Sequence, residues 1–160
     1  MRVLFLRHAD AVGASEHEGS DLDRPLTGKG RRTMKSVARG LARRFDRPDR
    51  ILCSQAERAR ATAEFVANAF GGLAIEERAD LNPGARPAAY LQVLAEAWKK
   101  QDALLVLVGH EPDLSTVVAD LVAAGQLQMK FKKAACADVE CTEPNRGILR
   151  ALVDPAVWSD

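Results

Sequence analysis

Two short runs in this chain, Val3-Leu4-Phe5-Leu6 and Ala103 to Val108, contain no polar residue. A strand with one wet face alternates apolar and polar side chains, whereas an unbroken apolar run of this length fits a strand covered on both faces. Such strands belong to parallel sheets, whose neighbours are joined by helical crossovers. The intervening sequence supplies helices. From Gly30 to Phe45 the apolar residues Met34, Val37, Ala38, Leu41, Ala42 and Phe45 fall at helical spacing among arginines and lysines. Ile51-Leu52-Cys53 reads as a short strand. Ser54-Gln55-Ala56-Glu57 matches a capping box, which predicts a second helix beginning at Ser54 and stopped by Gly71-Gly72. After a loop at Asn82-Pro83-Gly84, Pro87 opens a third helix bearing Tyr90, Leu91, Leu94 and Trp98. Pro112 suits the first turn of a fourth, which carries Leu114, Val117, Val118, Leu121 and Val122 and ends at Gly125. The stretch from Lys133 to Val153 reads as two strands joined by a polar turn at Glu143-Pro144-Asn145. The expected fold class is α/β, a three-layer α/β/α sandwich with a mostly parallel central sheet and an added antiparallel pair.

At 160 residues the chain fits one domain, taken as residues 1–160. Its 47% hydrophobic residues suffice for a full core, and its formal net charge of +1 shows no excess that would call for a nucleic acid or a membrane. Any preference for an anion must come from a local site. Cys53, Cys136 and Cys141 are few, odd in number and lack metal-ligand spacing, so they read as reduced core thiols. The apolar run at the N-terminus is broken at once by Arg7 and His8, too soon for a signal peptide or a membrane span. A cytoplasmic location is expected.

Three strands end in reactive polar residues: Arg7-His8 after the first run, Ser54 after Ile51-Leu52-Cys53, and Gly109-His110 after the run from Ala103. Ligands of open α/β sheets bind at the carboxyl ends of the strands, so residues far apart in sequence meet on one rim. Arg58 falls in the first turn of the helix after Ser54, where backbone N–H groups and the helix dipole also favour an anion. Two arginines, two histidines and a helix N-terminus make a phosphate site, because guanidinium grips phosphate oxygens with paired hydrogen bonds.

Those residues carry a resemblance. Leu6-Arg7-His8-Ala9 resembles the Arg-His-Gly motif of the histidine phosphatase superfamily, which includes phosphoglycerate mutases and acid phosphatases. The segment Cys53 to Ala63 is similar to that family's Ser-Pro-x-x-Arg-Ala-x-Gln-Thr-Ala sequence, and Val108-Gly109-His110-Glu111-Pro112 to its second-histidine motif. Asp23-Arg24-Pro25-Leu26-Thr27 and Leu152-Val153-Asp154-Pro155 look like the compact SixA branch, whose activity is phosphohistidine phosphatase. Gln55, Ala61 and Ala9 depart from the usual proline, glutamine and glycine, but no charged or nucleophilic group is lost. The resemblance implies that His8 attacks phosphorus to give a covalent phosphohistidine. Arg7, Arg58 and His110 would surround the phosphoryl oxygens, Ser54 would help bind them, and neither a metal nor another cofactor would be required.

Taken singly, each motif has a plainer explanation. Ser54 and Glu57 suit a helix cap, His110 a loop hydrogen bond, and Cys53 the core; co-location on one rim outweighs these. His17, in a polar stretch, is expected in solvent, and Lys130, Lys132 and Lys133 read as a solvated run, with steering of a phosphorylated partner as the alternative. Asp10, Asp23 and Arg24 are expected to brace the loop after His8. Between Thr62 and Leu104 there is no room for a lid domain. Asp80 and Glu111 are the candidate general acids, neither well placed by the sequence. An open site without a strong acid suits a leaving group that departs easily, such as the imidazole of a phosphohistidine. The expected partner is therefore a phosphorylated protein or, alternatively, a small phosphate ester turned over by a general phosphomonoesterase. A non-catalytic phosphate-binding module is the remaining reading.

Overall fold

The computed structural model describes residues 1–158. Ten principal elements follow one another: β1 (Arg2–Arg7), α1 (Gly28–Arg44), β2 (Arg50–Ser54), α2 (Glu57–Ala69), β3 (Ile75–Arg78), α3 (Pro87–Lys99), β4 (Leu104–Gly109), α4 (Asp113–Ala123), β5 (Cys136–Glu143) and β6 (Arg146–Val153). The six strands form one sheet in the order β3-β2-β4-β1-β5-β6. Its β3-β2-β4-β1 portion is parallel, and β5 and β6 complete it in antiparallel pairing. This is the mixed α/β sandwich expected from the two apolar runs.

Alternation along the central strands feeds two cores. Leu4, Leu6, Ile51, Cys53, Val106 and Val108 face one layer with Met34, Val37 and Leu41 of α1 and Val66 of α2. Val3, Phe5, Leu52, Leu105 and Leu107 face the other, with Tyr90 and Leu94 of α3 and Leu114 and Val117 of α4. Both faces are dry along Val3 to Leu6 of β1 and along β4, which is why those stretches carry no polar residue. No helix among the described residues is long and apolar enough to cross a membrane.

Several local expectations need correction. The capping box at Ser54 does not form. Ser54 is the last residue of β2, α2 begins at Glu57 behind Ala56, and Glu57 pairs with Arg60 instead. Pro112 stands at the cap position of α4 rather than in its first turn, and that helix is closed by Ala124 in the left-handed region before Gly125. His17 is half-buried, with its Nε2 out of solvent. β3 was not legible beforehand. The three cysteines are unpaired and buried, as expected, and burial pushes the Cys53 thiol up to about 12 and Cys141 to about 11.

Candidate active site

β2, β4 and β1 are neighbours in that order, and Arg7 pairs with Gly109 while Cys53 pairs with Val108. Their carboxyl ends are therefore level, and Ser54, His110 and His8 stand side by side on one rim. The His8 amide donates to the Gly109 carbonyl (3.0 Å), carrying the ladder one residue past the strand. Ser54 Oγ lies 2.8 Å from His110 Nε2, and the two imidazole rings are 5.1 Å apart, tilted by 51°. Gly109 is packed so closely that an added Cβ would stand 2.5 Å from the Tyr90 hydroxyl.

His8 is 7% exposed and His110 2%. Burial comes first among the causes that depress both pKa values. The Ala9 carbonyl opposes it at His8, where Arg58 and Arg7 add to it, giving about 4. At His110, His8 and Arg58 add to burial, giving about 3. Both rings are accordingly neutral at pH 7. His8 Nδ1 lies 2.8 Å from the Ala9 carbonyl. A carbonyl only accepts, so the single ring proton is assigned to Nδ1 and the lone pair to Nε2. That is the tautomer a nucleophile needs.

Arg58, in the first turn of α2, is 3% exposed. Its Nη1 donates to the Asp21 carbonyl (2.6 Å) and its Nη2 to Asp21 Oδ2 (2.9 Å). Asp21 also accepts from Arg24 Nε at 2.8 Å, and Arg24 Nη1 donates to the Val12 carbonyl. Burial opposes the charge on Asp21, but Arg58 and Arg24 outweigh it and hold its pKa below the usual carboxylate range. Arg7 Nη1 donates to the Phe131 carbonyl (2.8 Å), and burial lowers the Arg7 pKa. Among the described residues, Arg7 Nε, Arg58 Nε and His110 Nδ1 are buried and have no hydrogen-bond partner. Buried polar atoms are nearly always matched, so three unmatched nitrogens on three residues of one rim suit an incoming anion.

The loop after β1 is braced from several sides. Thr62 Oγ1 accepts from the Ala9 amide (3.1 Å) and donates to the Arg58 carbonyl (2.7 Å), joining the His8 corner to α2. Asp10 accepts from Thr27 Oγ1 and Lys133 Nζ, the latter being the main cause of its lowered pKa. Gly30 is obligatory here: a Cβ would come within 2.1 Å of the Asp10 carbonyl oxygen. Asp10 and Arg24 thus brace the loop as expected, whereas the bracing contact on Arg58 comes from Asp21 rather than Asp23. Sequence reasoning missed Asp21, and gave Thr62 no role beyond its place in a motif.

Neither candidate acid is poised to protonate a leaving group. Asp80 is gripped by Arg78 through both carboxylate oxygens (3.1 and 2.8 Å), and that bond holds its pKa below normal. Glu111 spends both oxygens on Ser115, accepting from its amide (3.0 Å) and its hydroxyl (2.8 Å) at the start of α4.

Comparison with known proteins gives a consistent picture. Residues 3–83 match the family model of the histidine phosphatase superfamily, branch 1. An uncharacterized protein of Picosynechococcus is 39% identical over 137 residues, which is 84% of this chain and 81% of that protein. The structure of the protein histidine phosphatase SixA complexed with tungstate superposes with a TM-score of 0.90 at 26% identity, over 99% of this chain and all of that one. A protein from Agrobacterium tumefaciens assigned as a phosphohistidine phosphatase SixA gives 0.82 at 30% identity, over 96% and 97% of the two chains. With its two histidines and two arginines gathered on the rim of a matching fold, the chain belongs to the histidine phosphatase superfamily.

Proposed function

We propose that this chain is a phosphatase that removes the phosphoryl group from phosphohistidine on a protein, with His8 as nucleophile. The lone pair of His8 Nε2 forms a bond to phosphorus as the phosphorus–nitrogen bond of the substrate breaks. A proton taken from solvent by the other ring nitrogen of the substrate's phosphohistidine lets the departing imidazole accept the bonding pair and leave neutral. Water then attacks phosphorus, the bond to His8 breaks, and inorganic phosphate is released. Arg7, Arg58 and His110 bear on the phosphoryl oxygens and stabilise the charge of the in-line transition state, with Ser54 fixing the His110 ring. A bound dianion favours the protonated form of His110, which then donates a stronger hydrogen bond. The arginines supply the positive charge, so the reading requires no metal and no other cofactor.

The observation that carries this reading is a neutral His8 with its ring proton on Nδ1, beside three buried nitrogens that have no partner among the described residues. The tied carboxylates of Asp80 and Glu111 support an easily departing leaving group over an alkoxide. The likeness to the protein histidine phosphatase SixA complexed with tungstate, a tetrahedral oxyanion, points the same way. Unpaired buried thiols suit a reducing compartment such as the cytoplasm.

The test is turnover of phosphohistidine, an aryl phosphate and phosphoserine by purified protein after exhaustive chelation. Phosphohistidine and the aryl phosphate should be cleaved well and phosphoserine poorly, with inhibition by vanadate. Comparable kcat/KM for phosphoserine and phosphohistidine, both collapsing in Asp80→Asn or Glu111→Gln, would instead identify a general phosphomonoesterase. No turnover at all would leave a phosphate-binding module.

A further inference from the structure

Arg7 is shared between the site and a second feature. An open cleft of about 380 Å³ lies beside it, lined by Lys29, Lys130, Lys132 and Lys133 as well as Arg7, with Asp10 among its walls. Five basic side chains thus converge on one cleft in a chain whose formal net charge is only +1. Lys133 is paired with Asp10 and Lys132 with Asp154, so the lining keeps a positive excess.

The side chains of Lys130, Lys132 and Lys133 are exposed, as expected of a solvated run, but the backbone that carries them is held in place. The Phe131 carbonyl accepts from Arg7 Nη1, and the Ala134 amide donates to the carbonyls of Arg7 (3.1 Å) and His8 (3.2 Å). The Arg7 amide in turn donates to the Ala135 carbonyl (3.1 Å). Phe131 is buried at 3% exposure, whereas the side chains of Lys132 and Lys133 are 53% and 46% exposed. Backbone bonds and a buried aromatic therefore hold this strip of ammonium groups in fixed register with the His8 corner.

We propose that this cleft docks an acidic surface on the phosphorylated protein, carboxylates flanking the phosphorylated side chain. The inference rests on the phosphatase reading above and adds to it what selects the partner. Sites for small molecules enclose their ligand with a few placed, mostly buried polar groups. Here the cations are exposed and spread along an open cleft, an arrangement that complements a charged protein surface and speeds its encounter.

The experiment compares kcat/KM for two phosphohistidyl peptides of equal length, one with Asp and Glu around the phosphohistidine and one with Ser and Gln. An aryl phosphate and a small bisphosphate ester serve as further arms. The variant is Lys29→Glu/Lys130→Glu, at two exposed positions. In the unaltered protein the acidic peptide should be preferred by at least about tenfold at low salt, and added salt should erase the preference. In the variant, kcat/KM for the acidic peptide should fall at least about tenfold further than for the aryl phosphate. Equal turnover of the two peptides, a fall shared equally by all substrates, or a selective loss on the bisphosphate alone would each overturn the docking proposal. Failure of every substrate in the unaltered protein would overturn the phosphatase reading instead.

Discussion

Asp21 holds Arg58 from two directions, its carboxylate on Nη2 and its own backbone carbonyl on Nη1. A guanidinium that is 3% exposed has its orientation set by these two bonds, and Asp21 reaches it from a short helical turn at Asp21–Asp23, thirty-seven residues away in sequence. We expect Asp21→Ala to lower kcat/KM for an aryl phosphate by about tenfold, equivalent to about 1.4 kcal/mol of transition-state stabilisation. Asp21→Asn, which keeps an acceptor, should recover most of it. A rise in kcat/KM would mean that Asp21 competes with substrate for Arg58 rather than positioning it.

For His8→Ala we expect loss of turnover by at least about a thousandfold with the fold retained, since the side chain's hydrogen bond is to its immediate neighbour Ala9 rather than to a distant element. In the unaltered protein, rapid quenching without acid should trap an acid-labile, base-stable phosphoryl group on His8. Substantial activity in the variant would remove His8 from the mechanism.

Thr62→Val should leave the buried Ala9 amide without an acceptor, costing about 1–3 kcal/mol of stability, while Thr62→Ser should be close to neutral. Because the lost bond holds the backbone beside His8, kcat should fall with stability in Thr62→Val and return in Thr62→Ser. Denaturant melts and steady-state kinetics on the same preparations decide it.

The two depressed histidines predict how stability depends on pH. An unfolded histidine takes up its proton near pH 6.5, whereas in the fold His8 resists down to about 4 and His110 to about 3. Between those values the unfolded chain binds more protons, so stability is full above about 6.5 and drains away as pH falls toward 4. Each histidine contributes a slope of about 1 kcal/mol per pH unit in that window. Melting temperatures recorded from pH 7 to pH 4 should fall, and His110→Asn should flatten the decline; an unchanged slope would show that His110 titrates normally.

Asp80→Asn should change phosphohistidine turnover by less than about threefold, because its carboxylate is committed to Arg78 and held ionised. A loss of a hundredfold would show that the Arg78 pair opens during turnover and releases an acid.

Much of this arrangement was legible in the sequence, and the parts that were not have physical reasons. β1 and β4 announced themselves because their middles, Val3 to Leu6 and Leu104 to Val108, are dry on both faces and wholly apolar, and the residues at their carboxyl ends had to meet on one rim. β3 was invisible because Ile75-Glu76-Glu77-Arg78 lies on the edge of the sheet, half in water, and is defined by pairing with β2 rather than by any apolar pattern of its own. Ser54 matched a capping box, yet its hydroxyl is drawn to His110, fifty-six residues away, a contact that no local pattern contains. Asp21 was lost in a polar stretch for the same reason: its partner Arg58 lies across the rim.

β1 is bordered by β4 on one side and β5 on the other, with further strands beyond each. Fraying begins at sheet edges, and from either edge at least two strands must peel away before the hydrogen bonds leading to His8 are exposed. Amide protons of Val3 to Leu6 should therefore exchange with solvent only through near-global opening. Heat should silence the enzyme and unfold it in a single event, leaving no temperature range in which a folded but inactive form accumulates.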